Sequence, residues 1–125
     1  MTVVVDTSIL IDVLRGETAA AEVLYESRAE GPLHASEVVR LEVLAGMRPA
    51  EQTATVALLN VFTWHPMDRP IAELAGELGR TWLRSNRGID SADLAIAATT
   101  IALGARLITK NIKHFPMFPD LTAPY

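Results

Sequence analysis

The sequence predicts an α/β fold, a sandwich of helices around a parallel β-sheet. Short apolar runs alternate along the chain with longer segments of helical periodicity, which is typical of this fold class. The first run, Val3–Val5, is wholly apolar, as expected of a strand covered on both faces. The 125 residues match the commonest domain size, so we expect a single domain over residues 1–125.

The first 65 residues contain three predicted strands and four predicted helices. In chain order they are strand Val3–Val5, helices Ser8–Leu14 and Ala19–Ala29, strand Leu33–Ala35, helices Glu37–Met47 and Glu51–Val61, and strand Phe62–His65. Thr18 and Ser36 are residues that can cap the helices that follow them. Gly16, Gly31 and Pro49 are residues that stop helices.

The second half opens with a longer helix, predicted from Asp68 or Pro70 to about Asn86. Apolar residues every three or four positions mark its buried side: Ile71, Leu74, Leu78 and Trp82. The remaining predicted elements are a helix from Asp90 or Ser91 to near Gly104, a strand over Arg106–Thr109, a helical turn near Asn111–Phe115 and an edge strand near Leu121–Ala123.

Composition excludes several kinds of site. Without cysteine the chain has no disulfide, zinc-thiolate site or thiol nucleophile, and this fits a reducing, cytoplasmic environment. No apolar run reaches about 18 residues, so no segment is expected to cross a membrane. The net charge of −4 disfavours non-specific coating of nucleic acid, but it is compatible with an enzyme whose acidic site needs cations.

Two polar residues follow predicted strands. Asp6 ends the first strand and Asn111 follows the fourth. Sites in open parallel sheets form beyond the carboxyl ends of the strands, so both residues are expected at the same rim. Each also has a structural alternative as the N-cap of the helical segment that it precedes.

Two further acids lie on predicted helices. Glu42 is in the middle of its helix and shares a stripe with Val38 and Ala45, so we expect it to point along an apolar surface toward the sheet. A carboxylate placed there needs a partner or a metal ion, unless its tip reaches water. Asp93 follows Asp90 at a helix start, where a capping box is the alternative to a functional role.

A metal site would explain these acids together. Mg²⁺ and Mn²⁺ take hard oxygen ligands, usually one or two carboxylates with water. Three acids, Asp6, Glu42 and Asp93, without His or Cys favour these ions over zinc. Such an ion supplies what hydrolysis of a phosphodiester needs: it polarises the phosphate, orients a hydroxide and offsets charge on the leaving oxygen.

The same residues resemble those of a PIN domain, and more narrowly of the VapC toxins of bacterial toxin–antitoxin pairs. The resemblance covers nearly the whole chain, in order and spacing. It is carried by the D-T-S after the valines at Asp6, by Glu42 in SEVVRLEVLAG, and by D-L-x-I-A-A…L-x-T-x-N-x-x-x-F from Asp93 to Phe115, which includes Asn111.

This resemblance implies a PIN-like, three-layer α/β/α sandwich around a short parallel β-sheet, in a homodimer. It also implies a Mg²⁺- or Mn²⁺-dependent endoribonuclease, with RNA as substrate and a VapB-type antitoxin as partner. The implied catalytic residues are Asp6, Glu42, Asp93 and Asn111, and the first three are the implied metal ligands. Thr7 and Ser8 fall where the family hydrogen-bonds a site carboxylate or water.

The chain departs from the family pattern at two positions. Many relatives carry Asp at the fourth position or just before the Phe, where this chain has Asn111 and His114. An amide oxygen can bind a cation but brings no charge, so the number of metal ions is left open. Asp90, one helical turn from Asp93, is a candidate to supply the negative charge that Asn111 lacks. Lys110, beside Asn111, is expected on the rim of the site as a phosphate contact.

Other features leave alternatives open. Arg80, Arg84 and Arg87 recur at helical spacing and indicate either an RNA or antitoxin patch or a solvated helix end. The three histidines have no metal-ligand spacing, and no chemistry is assigned to them. A non-catalytic interaction module is the alternative function. A phosphoacceptor receiver domain is disfavoured because strands Leu33–Ala35 and Phe62–His65 do not end on Asp.

Overall fold

The computed structural model describes residues 1–125 as one parallel sheet with six α-helices. In chain order the elements are β1 (Val3–Val5), α1 (Thr7–Leu14), α2 (Thr18–Glu30), β2 (Leu33–Ser36), α3 (Glu37–Ala45), α4 (Gln52–Leu59), β3 (Phe62–His65), α5 (Arg69–Trp82), α6 (Ser91–Ala102) and β4 (Arg106–Ile108). Two 3₁₀ turns, Pro49–Glu51 and Ile112–His114, precede α4 and follow β4.

The four strands are parallel and lie in the order β3-β2-β1-β4. Successive strands therefore extend the sheet on one side of β1, whereas β4 returns to its other side. The order reverses between β1 and β4, and ligand sites of open α/β sheets form at such a reversal. Val5 pairs with Ile108, so the residues that follow these two strands meet at the carboxyl rim of the sheet.

Helices cover both faces of the central strand. Val3, Val4 and Val5 point alternately to opposite faces, yet each is at most 2% exposed. Helix α6 lies against β1, β2 and β4, and α5 packs on α6. Helices α1 and α2 pack together, and α2 contacts β2. This arrangement confirms the predicted α/β sandwich, and no helix is both long and apolar enough to cross a membrane.

Small residues let α6 lie close to the sheet. Ala97 and Thr100 are buried on this helix. The Thr100 hydroxyl donates a 2.8 Å hydrogen bond to the carbonyl of Ile96, so this buried polar group has its partner within the helix. The close approach of α6 holds its first turn at the rim of the sheet.

Three sequence predictions about the elements were wrong. The predicted edge strand at Leu121–Ala123 is absent: this segment lies between Pro119 and Pro124, which lack backbone donors, and Leu121 packs on the core instead. Helix α5 ends at Trp82 rather than Asn86, whose side-chain amide donates 2.9 Å to the Trp82 carbonyl. Helix α2 is capped by Glu17 rather than Thr18.

Candidate functional site

A polar cavity of about 360 Å³ opens at the carboxyl rim, beside the reversal between β1 and β4. Ile11 is its single apolar lining residue. The cavity contains all eight residues named from the sequence, namely Asp6, Thr7, Ser8, Glu42, Asp90, Asp93, Lys110 and Asn111. It also contains Asp12 and His114, which were not assigned to a site. A second cavity of about 270 Å³ lies near Arg106 and Asp120 and has no carboxylate cluster.

Asp6 is held at the end of β1 by hydroxyl groups from two other segments. Its Oδ2 accepts hydrogen bonds from the Ser8 hydroxyl at 2.8 Å and from the Thr109 hydroxyl at 2.7 Å. The same oxygen accepts a longer bond, 3.4 Å, from the backbone N–H of Ser8 and so caps α1. Asp6 therefore both caps α1 and lines the cavity. Its side chain is largely buried, with only 3% of the residue exposed.

Glu42 reaches the cavity from α3. Its Oε1 accepts a hydrogen bond from the Thr7 hydroxyl at 2.5 Å, across 35 positions of sequence. The expectation that Glu42 lies on the sheet-facing stripe was wrong. Val39 and Val43 form the buried stripe of α3, whereas Glu42 is half-buried beside it and Ala45 is exposed. The side chain thus meets the cavity from the flank of the helix.

Asp93 enters the cavity from the first turn of α6, where it completes a capping box with Asp90. Its Oδ2 accepts from the Asp90 N–H at 3.1 Å and contacts His114 Nδ1 at 3.1 Å. Burial raises the pKa of Asp93 to about 6, and the charges of Asp90 and Asp6 add to the increase. The hydrogen bond from Asp90 and the nearby His114 act in the opposite direction.

The three carboxylates share a pattern of hydrogen bonding that suits a cation. Asp6, Glu42 and Asp93 each use one oxygen for protein donors, while the other oxygen accepts no hydrogen bond from the protein. These are hard oxygen ligands in one cavity, so they fit Mg²⁺ or Mn²⁺. No three acidic or histidine side chains are close enough, as placed, to share an ion. Binding therefore needs bridging water or rotation of side chains.

Asn111 and Lys110 complete the rim after β4. The backbone N–H of Asn111 donates 2.9 Å to the Thr109 hydroxyl, and the Lys110 N–H donates 3.2 Å to the Ser8 hydroxyl. The Asn111 side chain makes no capping hydrogen bond to the following 3₁₀ turn, which was the alternative to a role in the site. Its amide oxygen is thus free to face the cavity.

Sequence reasoning missed three residues of this network. His114 follows Asn111 by three positions, which is one turn of a 3₁₀ segment, and this spacing is the signal that could have placed it here. Asp12 follows Ser8 by four positions, the spacing of neighbours on a helix face. Thr109 is buried and ends β4 as Asp6 ends β1, so its hydroxyl meets the carboxylate.

Comparisons with known proteins agree with this architecture. A family model described as PIN domain matches residues 3–117. The chain is 48% identical to Ribonuclease VapC19 of Mycobacterium tuberculosis over 122 residues, covering 97% of this chain and 98% of the relative. It is 40% identical over 123 residues to Ribonuclease VapC10 of the same species, covering 98% and 92%.

Solved structures give the same result. A toxin–antitoxin complex from Klebsiella pneumoniae superposes with a TM-score of 0.82 at 28% identity, covering 99% of this chain and 98% of that one. VapBC2 from Rickettsia felis, bound to a DNA fragment from its promoter, gives 0.80 at 25% identity, covering 98% and 97%. On these similarities and on its α/β/α architecture, the chain belongs to the PIN-domain family, within its VapC group.

Proposed function

We propose that the chain is an endoribonuclease toxin that hydrolyses RNA phosphodiester bonds with Mg²⁺ or Mn²⁺. The observation that carries the proposal is the cavity in which Asp6, Glu42 and Asp93 each keep one carboxylate oxygen without a protein partner. The relatives with 48% and 40% identity are named ribonucleases, which supports the same activity.

The chain's own residues orient the acids and receive the substrate. Asp6, Glu42 and Asp93 would hold the ion, which would supply polarisation of the phosphate and activation of a water molecule. Thr109 and Ser8 hold Oδ2 of Asp6, which leaves its Oδ1 available to an ion. Lys110 is the phosphate contact on the rim, and we expect Lys110→Met to raise KM.

The proposed partner is a VapB-type antitoxin. The Klebsiella structure is a toxin–antitoxin complex and the Rickettsia structure is VapBC2, and both superpose over nearly the full chain. Leu41 and Leu44 on α3 and Val56 on the adjacent α4 are 43–65% exposed. Such apolar side chains suit a protein partner. A homodimer is also proposed, and light scattering of the purified chain with and without antitoxin tests both assemblies.

Cleavage of RNA by the purified chain tests the activity. We expect cleavage with Mg²⁺ or Mn²⁺, none with EDTA, and a loss of roughly 100-fold or more in Asp6→Asn and Asp93→Asn. Glu22→Gln is the matched control, because Glu22 is an exposed acid on α2 without a hydrogen bond or ion pair. Undiminished cleavage in both cavity variants would remove the proposed site.

A non-catalytic interaction module is the second candidate. The uncharged amide of Asn111 favours it, because this side chain adds no charge to hold an ion. The module predicts that the chain neither cleaves RNA nor gains thermal stability with Mn²⁺. Stabilisation by Mn²⁺ in the native chain, absent from Asp6→Asn, would exclude this alternative.

A further inference from the structure

We infer that Asp12 is a positioning residue that holds the Lys110 ammonium at the outer edge of the cavity, away from the metal-binding carboxylates. The inference rests on the proposed function, because it concerns how the same cavity remains open to a divalent cation. It assigns a role to an acid that lines the cavity without belonging to the carboxylate group of Asp6, Glu42 and Asp93.

The charges of the cavity make the position of Lys110 important. Five of the lining residues are acids: Asp6, Asp12, Glu42, Asp90 and Asp93. Lys110 is the single lysine or arginine among the lining residues. A buried carboxylate such as Asp93 gains strongly from a nearby cation. An unrestrained ammonium in this cavity would therefore compete with a metal ion for the same oxygens.

The backbone of Lys110 lies next to the metal-binding acids. Its N–H donates to the Ser8 hydroxyl, which in turn donates to Asp6 Oδ2. The preceding residue, Thr109, donates to that same oxygen. The flexible four-carbon stem of a lysine lets the ammonium settle on any acid within its reach. Something must therefore select its partner.

Asp12 supplies that selection. It follows Ser8 by four residues on α1, which places it one helical turn farther along the same face. Asp12 Oδ2 lies 2.5 Å from Lys110 Nζ and also accepts a 2.5 Å hydrogen bond from the Tyr125 hydroxyl. The Tyr125 ring centroid is 6.0 Å from the ammonium. The acid is thus held by two partners, and neither forms a hydrogen bond or an ion pair with Asp6 or Asp93.

This arrangement keeps the Lys110 ammonium apart from the proposed site of the divalent ion. With the ammonium on Asp12, the free oxygens of Asp6 and Asp93 keep their negative charge available for a divalent ion. Removal of the Asp12 charge frees Lys110 to pair with those oxygens. Asp12→Asn should then weaken metal binding through Lys110, whereas simultaneous removal of Lys110 should restore it.

Binding of Mn²⁺ without RNA tests the inference, with the free ion measured by electron paramagnetic resonance. The proteins compared are the native chain, Asp12→Asn, Lys110→Met, the double variant and the exposed-acid control Glu22→Gln. We expect Asp12→Asn to raise the Kd for Mn²⁺ by roughly tenfold, the size of one strong charge interaction. The Kd of Lys110→Met and of the double variant should be equal to or below the native value.

The comparison of the double variant with Lys110→Met separates the inference from a simple loss of charge, because both proteins lack the ammonium and they differ only in the Asp12 charge. A Kd of the double variant that exceeds the Kd of Lys110→Met by the same factor as Asp12→Asn exceeds the native value would overturn the inference, since Asp12 would then act by its own charge. An unchanged Kd in Asp12→Asn, or a rise equal to that of Glu22→Gln, would overturn it as well. The proposed function would survive these results, because it fails only if the Asp6 and Asp93 variants retain cleavage.

Discussion

The hydroxyl of Thr109 donates a 2.7 Å hydrogen bond to Oδ2 of Asp6, joining two residues that are 103 positions apart. Each residue directly follows a strand, and the two strands are neighbours in the sheet. The bond is buried, and Thr109 also accepts from the N–H of Asn111. One hydroxyl thus links the ends of β1 and β4 to the fourth residue of the candidate site.

Replacement of this hydroxyl should weaken both stability and activity. Thr109→Val keeps the shape of the side chain but leaves the Asn111 N–H and Asp6 with one partner fewer. We expect a loss of about 1–3 kcal/mol in the free energy of unfolding, measured by urea denaturation. Cleavage should decrease as well, because Asp6 loses a bond that orients it. An unaltered stability would show that water replaces the hydroxyl.

The raised pKa of Asp93 predicts that its ionisation destabilises the metal-free fold. The folded protein retains this proton up to a pH of about 6, whereas the unfolded chain releases it near 3.8. The folded state therefore binds more protons between these values, and its stability falls as the pH rises through this window. Asp93→Asn should raise Tm at pH 8 in EDTA and give little gain at pH 4.

Addition of Mg²⁺ separates this electrostatic effect from a packing effect. A bound ion offsets the carboxylate charge in the native chain, so the stability advantage of Asp93→Asn at pH 8 should shrink. Glu22→Gln should show neither effect. If Asp93→Asn raises Tm by the same amount at pH 4 and at pH 8, the gain does not come from removal of the Asp93 charge.

The histidine pair on β2 and β3 predicts a loss of stability in acid. His34 Nδ1 lies 2.8 Å from His65 Nε2, and burial together with the His65 charge lowers the pKa of His34 below 6.5. The unfolded chain takes up this proton at a higher pH than the folded protein. The contribution of His34 to stability is therefore fully present above pH 6.5 and is lost as the pH falls through its lowered pKa.

Thermal melts from pH 8 to pH 5 measure this contribution. We expect His34→Gln to reduce the decrease in Tm over this range, because it removes the titrating imidazole. The quantity compared is the change of Tm with pH in each protein. The loss of the His34–His65 hydrogen bond in the variant is the same at every pH, so it does not affect this comparison. An equal slope in the native chain and the variant would assign the acid sensitivity to other groups.

Thr55 should be replaceable by valine with a gain in stability. It is fully buried on α4, and its hydroxyl has no hydrogen-bond partner. An unpaired buried hydroxyl is unfavourable, whereas a methyl group of similar shape is not. Thr55→Val is expected to raise the free energy of unfolding by about 1 kcal/mol, measured by urea denaturation. A decrease would indicate that water satisfies this hydroxyl.

Local patterns predicted most of the fold. Short apolar runs located all four observed strands, and Ser36 and Asp90 cap their helices as the sequence indicated. The predicted edge strand was wrong because the outcome there depends on distant contacts, whereas the end of α5 and the cap of α2 depend on local hydrogen bonds. Leu121 belongs to a segment that resembles a strand, but its apolar side chain is used by the core rather than by a ladder of hydrogen bonds.

The candidate site was predictable as a set of acids but not as a network. Capping and function were weighed as alternatives for Asp6 and Asp93, yet different oxygens of one carboxylate can serve each purpose. Periodicity alone misjudged the face of Glu42. Asp12 was not considered and His114 was given no chemical role, because their partners, Lys110 and Asp93, are close only after the chain has folded.

The position of β4 beside β1 also constrains when the cavity can exist during synthesis of the chain. An amino-terminal fragment that stops before β4 contains Asp6, Glu42 and Asp93 but lacks Thr109, Lys110 and Asn111. The nascent polypeptide therefore acquires the complete set of these groups only after residues 106–111 have left the ribosome. The proposed RNA-cleaving centre, assembled in this order, is absent until this segment has been translated and has folded.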